Sequence, residues 1–308
     1  MRKIRGFGLI FVLLTFAAVG FLFAQMQDVI QQVGNAGAVD WTNQLITSTG
    51  IGAPNPNVPP AAQRAGAIEA AKRVALRNLL ETVKGMALNS DVTVENAMTT
   101  SDVIRTRISG IVKNFTVKDI RYMSDGSVEV DVEMPISGAL SDLVLPQQFG
   151  GGQLMVSSQP LCPVCGQPWP KGKPVPPGVK LIYPHGQQPA QGGQNVSYTG
   201  LVIDTRGLHV RPAMAPRVLN ENGDEVYGSK YVSRDYAVQI GMVGYAKDLN
   251  QARKSDRVKD NPLIVKAIKV LGSNASDVVV SNADAQLIHS AASTMNFLDH
   301  CRVIFIVD

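Results

Sequence analysis

The sequence lacks the short motifs by which the common catalytic and nucleotide-binding sites are recognised. None of the patterns G-x-S-x-G, H-E-x-x-H, G-x-x-x-x-G-K-S/T and G-x-G-x-x-G occurs in its 308 residues. We therefore predict a protein that is not an enzyme, with no catalytic residue and no cofactor-binding residue.

A large excess of charge of one sign is also missing. The chain has 29 Lys and Arg against 25 Asp and Glu, which gives a net charge of +4. Arg2, Lys3 and Arg5 lie in a segment that we expect to be removed, so the mature chain carries 4 − 3 = +1. So small a charge excludes the basic surface typical of proteins that bind nucleic acid or anionic membranes. We expect no nucleic-acid partner.

Long hydrophobic runs are confined to the N-terminus. Three basic residues precede an uncharged apolar run over residues 6–23, so residues 1–24 are predicted to be a signal peptide. Cleavage is expected after Gly20 or Ala24, and no cysteine follows either site, so a lipidated N-terminus is not supported. The alternative is an uncleaved inner-membrane anchor, because the run of 18 residues approaches the length of a membrane span.

The rest of the chain predicts two small α+β or α/β domains, each with a mixed sheet and packed helices. We divide it into a leader at 25–38 (a short helix or a disordered segment), a first domain at 39–145, a linker at 146–195 and a second domain at 196–308. The linker is rich in Gly, Pro and Gln and cannot bury enough apolar surface to fold alone. We interpret it as an exposed connection.

One long helix organises the first domain. Residues 63–84 contain no proline, and Ile68, Ala71, Ala75 and Leu79 recur at helical spacing. Around this helix we predict a strand at 39–51 that includes Trp41, a strand at 91–95, a helix at 102–112 capped by Thr100 or Ser101, and a hairpin of strands at 115–123 and 128–134.

The second strand of that hairpin alternates between apolar and acidic residues. Glu129, Asp131 and Glu133 occupy one face, and three apolar valines and a methionine occupy the other. Three neighbouring carboxylates resemble an acid–base cluster, but alternating charge is typical of the solvent face of a half-buried strand. We assign these acids no catalytic role.

In the second domain the pattern predicts several short strands and one helix. The strands fall at 198–204, 217–219, 225–227, 263–271, 277–281 and 301–307, and the helix falls at 282–295 with Asn282 as its cap. Residues 233–248 fit either a short helix or a strand broken by glycine. The last run is continuously apolar, which predicts a strand that is covered on both faces.

Cysteines are few, and two of the three form the turn C-P-V-C-G at residues 162–166. Such a turn is similar to the metal knuckle of rubredoxins and zinc ribbons, yet a tetrahedral zinc site needs four ligands and no second knuckle follows. We expect a local disulfide between Cys162 and Cys165, with zinc as the first alternative and a redox-active thiol pair as the second. The remaining ligand candidates are Cys301, His185, His209, His289, His300 or a second chain.

Cys301 itself adjoins Asp299 and His300, an arrangement that invites the interpretation of a nucleophile. It also opens the apolar run at the C-terminus, and free cysteine is among the most buried residue types. We predict that Cys301 packs in a core.

The region from Trp41 to residue 144 resembles the N-terminal α/β domain shared by small envelope lipoproteins and flagellar assembly T (FlgT) proteins. The second domain is similar, less closely, to companion domains in such proteins through residues 199–208. The resemblance of the first domain is carried by Trp41, the T-G-I-G run at 49–52, the alanine-rich helix with Ala65, Ala70, Ala71 and residues 75–80, the V-K-G run at 83–85, and the hairpin residues 125–130.

The resemblance implies an exported protein of the periplasm or outer membrane that binds other envelope proteins, in flagellar or other envelope assembly. The chain departs from the lipoprotein members because it lacks the lipidation cysteine, so it would be a non-lipidated member. Two alternatives remain, a metal- or redox-linked envelope protein that uses Cys162 and Cys165, and a periplasmic ligand-binding protein. A homo-oligomer and membrane association through residues 6–23 are further expectations.

Overall fold

The computed structural model describes residues 27–155, 159–182 and 197–308, and in these ranges the chain forms seven α-helices and thirteen β-strands. The strands make three sheets, so the predicted α+β fold is confirmed, but the sheet of the first domain is wholly antiparallel instead of mixed. In these ranges no helix combines the length and apolar character needed to cross a bilayer. The predicted signal peptide and its alternative as an anchor lie outside the described residues.

The first domain contains β1 (Ile30–Val33), β2 (Gly37–Asp40), β3 (Leu45–Gly52), α1 (Pro60–Gly85), α2 (Val94–Thr100), α3 (Asp102–Val112), β4 (Thr116–Tyr122), β5 (Val128–Pro135) and α4 (Ala139–Val144). Its five antiparallel strands form one sheet in the order β1-β2-β3-β5-β4. α1 packs on one face of this sheet, and α2 and α3 contact α1.

The predicted central helix is confirmed, and it lies unusually close to β3. α1 runs three residues further toward its N-terminus than predicted, and it buries Ala67, Ala71 and Ala75 against the strand. A Cβ added at Gly50 would lie 2.2 Å from the Ala75 nitrogen and 2.3 Å from the Ala71 oxygen. Gly52 is equally close to the helix, 2.1 Å from the Ala67 oxygen on the same construction. The T-G-I-G run and the alanines are therefore two halves of one packing contact.

Two predictions for the start of this domain are wrong. The single strand at 39–51 is divided into β2 and β3, because a turn follows Asp40 and Gln44 adopts a left-handed backbone with φ of 58°. Where a helix or disordered leader was predicted, residues from Ile30 onward form β1 and β2 of the sheet. Hydrogen bonding to neighbouring strands explains the difference, since short polar strands have little pattern of their own.

The predicted strand at 91–95 is also wrong. Thr93 and Asn96 form a reciprocal capping box that begins α2 within this stretch. The next helix, α3, agrees with its prediction in both bounds, and Ser101 caps it by accepting a hydrogen bond from the Ile104 amide. The hairpin of β4 and β5 is confirmed as well, with the even-numbered residues of β5 buried.

The second domain contains a parallel sheet with strand order β10-β6-β13-β9 and a mixed sheet with order β11-β12-β7-β8. Its elements are β6 (Gly200–Asp204), β7 (Val218–Leu219), β8 (Glu225–Tyr227), α5 (Arg234–Ile240), β9 (Gly244–Ala246), α6 (Leu249–Lys254), β10 (Pro262–Lys266), β11 (Lys269–Leu271), β12 (Asp277–Val279), α7 (Asn282–Met295) and β13 (Val303–Ile306). β13 lies between β6 and β9 and is buried on both faces, as predicted.

Two details of this domain correct the prediction. The single strand expected at 263–271 is two strands, β10 and β11, which belong to different sheets. α7 has the predicted bounds, but Ser281 caps it instead of Asn282, because the Ser281 side chain accepts a hydrogen bond from the Asp284 amide. The ambiguous stretch at 233–248 forms α5 followed by β9.

The two domains share one hydrophobic core. Buried residues of both belong to the same packed cluster, and Trp41 meets Tyr245 edge to face with ring centroids 5.6 Å apart. The Ser90 hydroxyl donates to Asp277 Oδ2 at 2.8 Å, and Arg217 donates to the same oxygen through Nε at 2.8 Å. The carboxylate of Asp277 therefore ties a loop of the first domain to the mixed sheet of the second.

The first part of the predicted linker is held against the second domain. The Gly152 amide donates to the Lys230 carbonyl at 2.9 Å, and the Met155 amide donates to His289 Nδ1 at 2.8 Å. Further along, Leu161 pairs with Ile182 through two backbone hydrogen bonds. The exposed connection predicted from composition is thus, over its described residues, partly packed onto the domain.

Candidate functional site

The outer edge of β1 presents backbone groups that pair with no other described residue. The Trp41 amide donates to the Val29 carbonyl at 2.9 Å, which fixes the register between β1 and β2. Since backbone groups alternate between the two sides of a strand, the amides and carbonyls of Ile30 and Gln32 point away from β2. Among the described residues, none forms a hydrogen bond with them.

The chemistry of β1 leaves this edge open to another strand. β1 has the sequence I-Q-Q-V, with no charged residue and no proline, and the Ile30 side chain is 56% exposed. Short strand length, long charged side chains, bulges and prolines are the usual means by which a sheet edge is protected from pairing. β1 is short, with four residues, and has none of the other three.

The opposite edge of the same sheet is protected. β4 contains Lys118, Asp119 and Arg121, and its register against β5 shifts between Val117 and Asp119. The Ile120 amide donates to the Asp119 carboxylate at 2.9 Å, which occupies a donor of that strand. The two edges therefore differ in their capacity to accept a further strand.

A groove of about 540 Å³ lies beside the turn between β1 and β2, with Gln32 of β1 in its wall. It forms beside the first residue of β2, Gly37, because β2 pairs only with residues 45–48 of β3 and leaves Ile51 59% exposed. The side of α1 closes the groove through Asn78, whose amide nitrogen donates to the Thr49 carbonyl at 2.7 Å. Amide and hydroxyl side chains dominate its wall, namely those of Gln32, Asn35, Thr47, Thr49 and Asn78. We call the β1 edge and this groove together the β1 surface.

The acids of β5, which were assigned no catalytic role, are engaged in ion pairs. Arg121 Nη1 lies 2.5 Å from Asp131 Oδ2, and its Nε lies 3.2 Å from Glu129 Oε2. The hydrogen bonds from Arg121 hold the pKa of Asp131 below its usual value, against the opposing effect of burial. Lys118 Nζ lies 3.2 Å from Glu133 Oε2.

The turn at 162–166 has the geometry of a metal knuckle. The Gly166 amide donates to the Cys162 carbonyl at 2.9 Å, and the Cys162 amide donates to the Gln167 carbonyl at 2.9 Å. The amides of Cys165 and Val164 also form hydrogen bonds to the Cys162 sulfur, which lower the pKa of that thiol. Cys162 and Cys165 are both free thiols, so the disulfide that we expected between them is not formed in the structure.

The other candidate ligands are not brought to this turn. Cys301 is fully buried in the shared core, as predicted, and burial raises its pKa to about 12. His289 is buried against the Val226 carbonyl, and burial lowers its pKa. His209 lies beside Asp308 and His300 packs on Tyr236, while His185 lies outside the described residues. Within the described ranges, no three His, Cys, Asp or Glu side chains are grouped as metal ligands.

A second groove, of about 610 Å³, lies where α3 and α4 meet the second domain. It is lined by Arg107, Asn114 and Gln147, and by Arg234, which forms an ion pair with Asp142. Sequence reasoning missed both grooves, because each depends on where two distant segments end. No local pattern in the sequence signals them.

Comparison with models of known protein families finds a match to the second domain. Residues 200–308 match the family model described as the second domain of Treponema pallidum Tp0624. The match begins at the first residue of β6 and spans about a third of the chain. No curated protein matches the sequence.

Proposed function

We propose that this is an exported, non-enzymatic protein of the cell envelope that acts by binding other proteins, in flagellar or other envelope assembly. The proposal places the mature chain in the periplasm or at the outer membrane. The observation that carries it is the edge of β1, which is uncharged and presents the outward backbone groups of Ile30 and Gln32.

The mode of binding in this proposal is strand addition. An extended segment of a partner would pair with Ile30 and Gln32, and main-chain hydrogen bonds would supply affinity without a dedicated pocket for every side chain. The contrast with β4 supports this choice, because one sheet has a protected edge and an unprotected one.

The polarity of the β1 surface indicates which kind of partner segment can bind to it. β1 offers no charge to pair with, and the adjoining groove offers amide and hydroxyl groups beside the exposed Ile51. The acid in its wall, Glu129, is already paired with Arg121 at 3.2 Å. The occupant that fits is therefore an extended, uncharged segment of another envelope protein, with polar and small apolar side chains in alternation.

The test is co-purification after crosslinking in intact cells, with a C-terminal tag on the full chain and its own N-terminal segment. The informative variant is Gln32→Pro. It removes an outward amide that β2 does not use and adds bulk at the edge, as proline does on natural edge strands. We expect the wild type to recover a discrete protein and the variant to lose it.

The matched control is Ala61→Pro, which places the same residue at an exposed site in the first turn of α1, where proline is tolerated. It should retain the partner. Recovery of the same protein by wild type, control and Gln32→Pro alike would refute binding at β1, provided that the melting temperatures of all three agree.

A further inference from the structure

The cysteine turn is held in a fixed conformation by hydrogen bonds and by packing against α7. Besides its own hydrogen bonds, it is anchored at Leu161, which pairs with Ile182 at 2.7 and 3.0 Å. Gly166 has a left-handed backbone with φ of 67°, and a Cβ there would lie 2.4 Å from the Ala283 nitrogen. The turn is thus packed against the first residues of α7, a helix of 14 residues.

Both cysteines of this turn are accessible to solvent. Cys165 is exposed and Cys162 is half-buried, and between them the Val164 side chain is 85% exposed. Backbone amides of Val164 and Cys165 form hydrogen bonds to the Cys162 sulfur. Donors aimed at sulfur in this way stabilise a thiolate ligand and orient it, as outer partners do in metal sites generally.

The charges around the turn suit an anionic cluster. Residues 159–182 contain Lys171, Lys173 and Lys180 and no Asp or Glu. A zinc ion held by four thiolates has a net double negative charge, because four negative sulfurs outweigh the two positive charges of the metal. Lys173, which lies near enough to Cys162 to act on its thiol, would compensate for part of that charge.

We propose that Cys162 and Cys165 form half of a tetrathiolate zinc site, which the same two cysteines of a second copy of the chain complete. Zinc in structural sites takes four ligands in a tetrahedron, and this turn supplies two. Within the described residues no further His, Cys, Asp or Glu joins them. Pairing two copies would also bury the exposed Val164 at the tip of each turn.

Binding of zinc to the four thiols requires no oxidant or reductant. Each thiol that enters the site loses its proton to solvent, and four zinc–sulfur bonds form between the two chains. The metal keeps its oxidation state, and dissociation by a chelator reverses the step. The product is a zinc-linked homodimer.

The test uses the purified full chain, reduced and then dialysed against zinc. We expect one zinc ion for every two chains, dimers by light scattering, and four sulfur neighbours at about 2.3 Å by X-ray absorption. The double variant Cys162→Ser with Cys165→Ser should lose both the zinc and the dimer. Cys301→Ala alters the third cysteine, which is buried elsewhere, and should keep both.

Three results would overturn the proposal. The first is one zinc per chain in a monomer with two sulfur neighbours. The second is a reduced protein that retains no zinc after dialysis, which would favour the thiol pair or a disulfide. The third is a dimer that persists in the double variant. None of these depends on the β1 surface, so each outcome leaves strand addition untouched.

Discussion

Replacement of Gly50 by alanine tests the contact on which the first domain depends. The added Cβ would lie 2.2 Å from the Ala75 nitrogen, 2.3 Å from the Ala71 oxygen and 2.8 Å from the Ala75 Cα. All three are backbone atoms of α1, so no side chain can rotate away. Because carbon atoms pack at about 3.5 to 4 Å, the helix would have to move by about 1 Å or more.

That movement would disturb the whole layer between α1 and β3. Overpacking in a core usually costs about 1–3 kcal/mol, and an overlap with backbone belongs at the upper end of that range. We therefore expect Gly50→Ala to lower the free energy of unfolding by about 3 kcal/mol. At the usual conversion for a larger domain, the melting temperature should fall by roughly 6–12 °C.

The assay is urea and thermal unfolding of the mature chain, with Gly66→Ala as the matched control. Gly66 lies in the same helix on its exposed side, and a Cβ there meets nothing within 4 Å. Alanine in an exposed helix interior should stabilise the protein by about 1 kcal/mol. Equal effects of the two substitutions, or a neutral Gly50→Ala, would refute the close contact of α1 with β3.

Three further predictions concern the second domain. Burial lowers the pKa of His289 in the folded chain relative to the unfolded chain. The free energy of unfolding should therefore decrease as the pH drops below about 6.5. In urea unfolding, the midpoint of His289→Gln should decrease less over the same pH range than the midpoint of the wild type. Asp277→Ala removes the buried carboxylate that accepts from Ser90 and from the partly exposed Arg217, and it should cost about 2 kcal/mol in chemical denaturation. A loss below about 0.5 kcal/mol in the same assay would contradict that role. Ser281→Ala should cost about 1 kcal/mol, and a larger loss for Asn282→Ala would restore the original assignment of the cap.

The helices and strands that were predicted correctly are those whose structure is determined by their own residues. The long helix, α3, the hairpin of β4 and β5 and the buried last strand follow from periodicity and turn chemistry. The errors fall where partners decide the structure. β1 is a strand because β2 pairs with it, and residues 263–271 form two strands because the two halves pair in different sheets. The helix that begins after Thr93 is an exception, because its capping box with Asn96 is a local signal that the prediction missed.

The candidate sites divide in the same way. The cysteine turn is visible in the sequence, since five consecutive residues specify it. The β1 surface could not be predicted, because its groove depends on β2 beginning at Gly37, opposite Ser48, while β3 continues to Gly52. β1 is recognised as the unprotected edge only by comparison with β4, and the two strands are far apart in the chain.

The central claim, that a partner adds a strand to β1, is tested most directly by photo-crosslinking from position 30 in living cells. In one variant, a photoreactive residue replaces Ile30, whose backbone groups face away from β2. In a separate control variant, the same photoreactive residue replaces Tyr122 on the protected edge strand β4. We predict one discrete protein adduct from position 30, which disappears when Gln32→Pro is added, and none from position 122. Equal adducts from both edges, or an adduct from position 30 that survives Gln32→Pro, would contradict the account.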